Sequence, residues 1–431
     1  MSFGLRARLS VMMFLQYFVW GIWLPMLAQR LGKNDLNMEP SLIGWVFTVY
    51  GFGSILGPFV LGQLADRYFA TERVMAAAHF VGGLLLFATA YATTFWPIFI
   101  LMLVYCSLYM PTMGLSNAIT FRSLGEDNQN FFPAIRFWGT IGWIAAGLSF
   151  AAYLSLLKGV DIPFLGEPSY RDCLRLSGIF SIVLAIYSLT LPHTPPVPAK
   201  ETDPVDKRSA VLECLELMRF RSFAVLVTVA GLVGIMLAFY FALENYFLEY
   251  IGVAPTQTGA YMTIGQVAEG VIMLLVPLSV VRLGYKKTMM IGMSAWALRF
   301  GFSALGYPFW LMIATIALHG FAFGFFFVVA QMFVDRAASL DIKASAQSLL
   351  IFVIYGLGTV AGSALAGYVL GYYTTTVDHE VVAQNWRGIW MGPFILTLLC
   401  MVIFAVLFKE EQIGEIKEEE AETALAPSTG A

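Results

Sequence analysis

Apolar stretches of about twenty residues recur along the chain, at 9–29, 41–65, 73–95, 96–120, 132–156, 172–193, 221–250, 258–283, 287–306, 308–333, 345–372 and 387–408. At a rise of about 1.5 Å per residue each can cross a hydrocarbon layer about 30 Å thick, so the pattern predicts twelve transmembrane helices. An even number of crossings places both termini on one side. The second half echoes the first. The same spacing separates Tyr68 from Tyr285 and, within spans five and eleven, Gly139-Thr140-Ile141-Gly142 from Gly356-Leu357-Gly358-Thr359. The expected fold is therefore an all-α polytopic membrane protein of two pseudo-symmetric six-helix bundles, 1–192 and 221–408. Two such bundles with a site between them are the arrangement of a secondary transporter.

Between the halves, Pro192, Pro195, Pro196 and Pro198 precede a charged run from Lys200 to Lys207. Proline removes backbone donors and the charges stay in water, so 193–220 reads as a linker, with a possible interfacial helix over 210–220. The acidic, Ala-rich stretch 409–431 reads as a disordered tail, and removal of the chain after Lys409 is expected to leave transport intact. Arg6 and Arg8 precede the first span, which has no small-residue cleavage site and runs through Trp20 and Trp23 to Arg30, so a retained helix is expected.

Composition agrees with this layout. Only 12% of residues are charged against 59% hydrophobic, whereas soluble chains carry about 25% charged residues, so most of the surface faces lipid. A net charge of −3 argues against nucleic acid as a partner. Basic residues gather in alternate loops, among them Arg73, Arg122, Lys207, Arg208, Arg282, Lys286, Lys287 and Lys343, while the opposite loops hold few. That bias predicts cytoplasmic termini in a plasma membrane. Cys106, Cys173, Cys214 and Cys400 are scattered without a CxxC or Cys/His cluster, so neither a disulfide framework nor a metal site is expected.

Ionisable and polar residues at bilayer depth are costly and mark cavities or partners. Arg136, Thr140 and Trp143 share one face of span five, where Arg136 can bind a polar ligand or carboxylate and Trp143 can stack on a planar ring. The competing reading has Arg136 snorkelling to the membrane surface. Gln266 and Glu269 share a face of span eight, and Glu269 is the most suggestive acid in the chain. A carboxyl that alternates between wet and closed surroundings can load and release a proton, which makes Glu269 the candidate for proton coupling. The alternative is a static ion pair that holds helices together.

Tyr240, Glu244 and Asn245 in span seven form a further candidate set, although Glu244 can equally lie near the outer surface with Glu249. Gln16 and Trp20 in span one and Asn117 in span four complete the candidate contacts, each also readable as an interhelical hydrogen bond or packing group. Arg299 is the second arginine inside a span. Of the four histidines only His319 reads as buried, in a packing role, and Phe321, Phe323, Phe325, Phe326 and Phe327 read mainly as packing.

The turn after span two, with Gly62, Asp66 and Arg67, resembles the G-x-x-x-D-R signature of the major facilitator superfamily, in which the acid latches one bundle to the other; of the later basic positions only Arg73 is kept. A narrower resemblance covers nearly all of both halves. Met13-Phe14-Leu15-Gln16-Tyr17 with Trp20-Gly21-Ile22-Trp23, Tyr109-Met110-Pro111-Thr112, Ile135-Arg136, Ala295-Trp296-Ala297-Leu298-Arg299-Phe300 and Ala344-Ser345-Ala346-Gln347 look like the bacterial nucleoside:proton symporter family. The resemblance implies proton-driven uptake of nucleosides across a bacterial inner membrane by a monomer in lipid, without a cofactor, the proton gradient supplying the energy. It implies that spans five, seven, eight and ten hold the ligand between the bundles. Arg136, Thr140, Gln266 and Glu269 match the family pattern, and Trp143 stands for a Phe. Ala238, Phe241 and Gly324 stand where the pattern has Gln, Asn and Asp, which widens the expected cargo from nucleosides to related polar solutes. An exporter of drugs or other metabolites uses the same fold. A membrane enzyme or sensor is the third class, against which stands the lack of a His-Glu-x-x-His motif or appended domain.

Overall fold

The computed structural model describes residues 2–57, 61, 64–65, 68–124, 131–196, 217–337, 343–377 and 380–410. The first half holds α1 (Phe3–Leu31), α2 (Pro40–Gly57), α3 (Thr71–Tyr91), α4 (Phe95–Leu124), α5 (Phe132–Leu156) and α6 (Asp172–Ser188). In the second half α7 (Arg221–Tyr250) precedes one helical run, Thr258–Leu305, that folds back at Gly284 (φ 81°, ψ 173°) into two arms, α8 (258–283) and α9 (285–305). Only glycine adopts that backbone without strain. Next come α10 (309–337), with a π-helical turn at Phe323–Val328, α11 (343–372), with another at Phe352–Gly358, and α12 (Trp386–Leu407). Among the described residues ten runs are long and apolar enough to cross a membrane, the folded α8–α9 run counting once, and α6 has 17 residues.

Pairing of the helices follows one scheme twice. In the first half α1 packs on α5, α2 on α4 and α3 on α6; in the second, α7 packs on α11, α8 on α10 and α9 on α12. The halves then meet through α5 with α8, α2 with α11 and α1 with α7. Small residues set these approaches. A Cβ on Gly44 of α2 would lie 2.6 Å from the Gly367 Cα of α11, and one on Gly21 of α1 would lie 2.9 Å from the Ala146 Cβ of α5. Leu274, Val281 and Val402 stand largely exposed on the outer faces, as a hydrocarbon solvent permits.

Arg8 and Lys409, near the two limits of the described chain, lie at one end of the bundle. The Tyr187 hydroxyl donates to the Arg8 carbonyl at 3.0 Å, and Ser222 Oγ to the Lys409 carbonyl at 2.7 Å. At the opposite end bonds cross between the halves. Asn245 donates to the Pro25 carbonyl, Tyr246 to the Ala28 carbonyl, and Lys33 pairs with Glu249 at 2.8 Å.

Some expectations change. The equal spacing of Tyr68 and Tyr285 does not give equal surroundings, since the first is exposed and the second buried. A β-hairpin, Thr374–Val377 paired with Glu380–Gln384, joins α11 to α12 where the apolar pattern shows only a loop. The latch residues Gly62, Asp66 and Arg67, Cys214, His379, most of the 193–220 linker and the tail from 411 lie outside the described residues. Of the surface helix over 210–220, the described part, Leu217–Arg219, is a single 3-10 turn.

Candidate functional site

Arg136 and Glu269 belong to different halves, are both half-buried and lie within electrostatic reach of one another. The Arg136 guanidinium sits 4.0 Å from the centre of the Tyr17 ring of α1, a cation–π contact that holds the charge inside the bundle rather than at its surface. Gly139 permits this, because a Cβ there would lie 2.6 Å from the Tyr17 ring. Glu269 on α8 is within electrostatic reach of Arg136 and Tyr17, and Tyr355 of α11 lies in the same field. One turn along each helix, Thr140 and Gln266 are half-buried.

An aromatic wall continues from this pair. Trp143 stands edge-on to Trp20 at 4.7 Å, and Trp20 lies flat on Tyr50 of α2 at 5.7 Å and 7°. The Trp20 Nε1–H is buried without a hydrogen-bond partner, as is Asn117 Oδ1 on α4. An indole N–H in that state is a donor for a ligand.

On the second half, His319 Nε2 of α10 faces Glu269 Oε2 at 3.8 Å. Its ring stacks on Tyr240 at 4.7 Å, and the Arg299 guanidinium lies 4.3 Å from the Tyr240 ring centre. Arg299 Nη2 in turn meets Glu244 Oε1 at 2.9 Å. Tyr240 and Glu244 therefore form the layer beneath His319, and Glu244 does not join Glu249, which pairs with Lys33 at the end of the bundle away from Arg8 and Lys409. Asn245 likewise serves the contact between α7 and α1.

Gln16 is fully buried within the first half. Its Nε2 donates to Thr112 Oγ1 at 2.8 Å, its Oε1 faces His79 Nε2 at 2.8 Å, and its carbonyl accepts from the Tyr109 hydroxyl at 2.6 Å. His79 Nδ1 meets Ser181 Oγ at 3.1 Å. Gln16 thus builds the floor under Trp20 instead of presenting its amide to the cavity. His79 is as buried as His319, which corrects the reading that only one histidine is.

Sequence reasoning missed Tyr17, Tyr50, Tyr355 and the placement of His319. The signal for His319 lies in two glycines: a Cβ on Gly265 would lie 3.2 Å from His319 Cβ, and one on Gly320 2.5 Å from the backbone at Ala268 and Glu269. They bring α8 and α10 close enough for the two side chains to meet. The three departures from the family pattern are also explained. Ala238 packs against Gly362 of α11, Gly324 against Ile272 of α8, and Phe241 beside the Tyr240 ring, so helix packing replaces the expected polar groups.

Two paired six-helix halves in contact, with an arginine of one within electrostatic reach of a carboxylate of the other, define a multi-pass secondary transporter of the major facilitator fold. Residues 3–413 match the family model described as nucleoside H+ symporter, and the chain belongs to that family of transporters. It is 33% identical over 428 residues to YegT of Escherichia coli K12, covering 97% of this chain and 98% of that one. It is 31% identical over 421 residues to the xanthosine permease of the same organism, covering 94% and 96%. A crystal structure of a mutant of the nucleoside transporter NupG superposes with a TM-score of 0.83 at 29% identity, over 94% of this chain and 100% of that one. The D-xylose-proton symporter, at 12% identity and a TM-score of 0.74, shares the fold.

Proposed function

We propose that the chain carries a nucleoside or closely related polar solute into a bacterial cell together with a proton, using the proton gradient and no cofactor. The observation that carries this reading is the placement of Arg136 and Glu269 on opposite halves, within electrostatic reach of one another. A relative movement of the halves changes the access of both groups at once, which is what alternating access requires. The xanthosine permease and NupG are relatives whose names give nucleosides as cargo. Trp20, Tyr50 and Trp143 supply flat apolar surface for a base, Arg136, Thr140 and Gln266 supply polar contacts, and Glu269 carries the proton. The basic loops support cytoplasmic termini, and on that orientation the end closed by Asn245, Tyr246 and the Lys33–Glu249 pair faces outward. The chain acts as a monomer, since each copy holds a complete pair of halves.

Thermal-shift measurements against nucleosides, nucleobases, sugars and glycosides, followed by uptake into proteoliposomes under an imposed pH gradient, test the reading. A nucleoside is expected to stabilise the protein and accumulate uphill, and Glu269→Gln is expected to abolish accumulation while exchange of pre-loaded solute persists. Stabilisation by another solute class alone overturns the nucleoside assignment. Normal accumulation by Glu269→Gln removes Glu269 as the proton carrier.

A further inference from the structure

The pairing of Glu269 with His319 reaches beyond this scheme, and it rests on the reading of Glu269 as proton carrier. His319 is 1% exposed, and its ring is held on several sides: Tyr240 stacks on it at 4.7 Å, Trp296 of α9 stands edge-on at 5.8 Å, and Phe323 of its own helix lies at 5.9 Å. So clamped, the imidazole has one direction in which to offer a proton. Nε2 points at Glu269 Oε2, 3.8 Å away, and Nδ1 is buried without a partner.

The charges around the ring decide its form. Arg299 of α9 lies against Tyr240 and donates towards the Ile316 carbonyl of α10 at 3.5 Å, and Glu244 of α7 neutralises it at 2.9 Å. On the far side of Glu269 stands Arg136 of α5. A second proton on His319 would set a buried cation beside Arg299, whose counter-ion is already taken. The neutral ring carries one N–H, and the acceptor within reach of it is the Glu269 carboxylate.

We propose that His319 is a positioning residue for proton coupling: as a neutral donor it holds the Glu269 carboxylate through Nε2–H while the proton is off, and it releases the side chain once Glu269 is protonated. A small rotation of the Glu269 side chain shortens 3.8 Å to hydrogen-bond length. The proton reaches a Glu269 oxygen while the site is open to one face of the membrane and leaves it when the site is open to the other, and His319 neither gains nor loses one. The held carboxylate is aligned with Arg136 and the solute; the released acid is neutral and free to pass through the closed state. Gly265 and Gly320 are part of the device, because side chains there would push α8 from α10.

The test needs no knowledge of the solute. A hydrophobic carbodiimide, dicyclohexylcarbodiimide, labels buried carboxyls in their protonated form, and mass spectrometry of the labelled peptide locates Glu269. Labelling is followed against pH for the full-length purified protein, for His319→Gln, which keeps an N–H donor, and for His319→Phe, which does not. Each curve is normalised to its own maximum, so a simple loss of folded protein does not move its midpoint. A hydrogen bond to a charged group is worth about 1.5–3 kcal/mol, so removing the donor is expected to move the midpoint at least about one pH unit towards alkaline. His319→Gln is expected to keep the wild-type midpoint. Coinciding curves for His319→Phe and wild type overturn the proposal. So does a His319→Gln curve displaced as far as that of His319→Phe, because a titrating imidazole is then required. Absence of pH-dependent label at Glu269 in the wild type fails the underlying reading of Glu269 as proton carrier, a result distinguishable from the other two.

Discussion

Arg299 and Glu244 meet at 2.9 Å with 1% and 4% of their side chains exposed, an ion pair sealed inside the second half beneath the Tyr240 ring. Its removal from water is tolerable only while both charges remain. Arg299→Met alone leaves a buried carboxylate and is expected to cost about 3–5 kcal/mol of stability, as is Glu244→Leu alone. The double substitution removes both charges and is expected to recover much of that loss, measured as thermal unfolding of purified protein in detergent. Strictly additive losses in the three variants would show that the pair does not act as a unit.

Gln16 gives the opposite case, a polar residue in the first half with every group engaged. Gln16→Ala leaves His79 Nε2 and Thr112 Oγ1 short of partners, while the backbone carbonyl that accepts from Tyr109 remains, so a loss of about 1–3 kcal/mol in stability is expected. The apparent affinity for solute, measured as KM of uptake, is expected to change less than threefold, roughly the scale of an indirect effect. A tenfold rise in KM with unchanged unfolding temperature would return Gln16 to the ligand contacts.

The contrast shows what the sequence carries. Apolar runs dictate the helices because a spanning segment must satisfy its own backbone, and Leu283-Gly284-Tyr285 marks a turn because Gly284 alone adopts its positive φ. Arg136 and Glu269 are legible for a related reason: a charge at bilayer depth needs a partner or a cavity. Which partner it has is a tertiary matter. Glu269 meets His319 because Gly265 and Gly320 let α8 approach α10; the glycines are legible beside each residue, but which side chain they admit is not. Gln16 reads as a ligand contact until His79, a distant residue on α3, proves to occupy its amide. The hairpin after α11 escapes notice because Thr374–Val377 is short and follows an apolar run that dominates the pattern.

The closed end of the seam rests on contacts of unequal weight. Lys33 pairs with Glu249 but is 54% exposed, so Lys33→Ala is expected to cost no more than about 0–1 kcal/mol. Asn245 is fully buried and donates across the seam to the Pro25 carbonyl, so Asn245→Ala removes a bond that exists only while this end is shut. A cysteine placed at Met26, which packs against Gly259 of α8, reports the opening. Its labelling by a membrane-impermeant maleimide is expected to rise several-fold with Asn245→Ala and little with Lys33→Ala. Equal labelling in both backgrounds would assign the closure to other contacts.

Glu410 caps the first turn of α9. Its Oε1 accepts from the Tyr285 amide at 3.0 Å and its Oε2 from the Lys286 amide at 3.2 Å, the first free N–H groups of α9 after the break at Gly284. A carboxylate there satisfies orphan donors and faces the positive end of the helix dipole. Lys286 Nζ completes the clasp by donating to the Ala405 and Phe408 carbonyls, each at 2.7 Å. For stability, as distinct from transport, the boundary for harmless truncation is therefore expected after Glu410 rather than after Lys409. A chain ending at Glu410 is expected to unfold at the wild-type temperature, whereas Glu410→Ala or a chain ending at Lys409 is expected to lose about 1–2 kcal/mol, the usual range for a lost helix cap. Identical unfolding of the two truncations would show that the carboxylate contributes nothing, and the cap would then be an incidental contact of the tail.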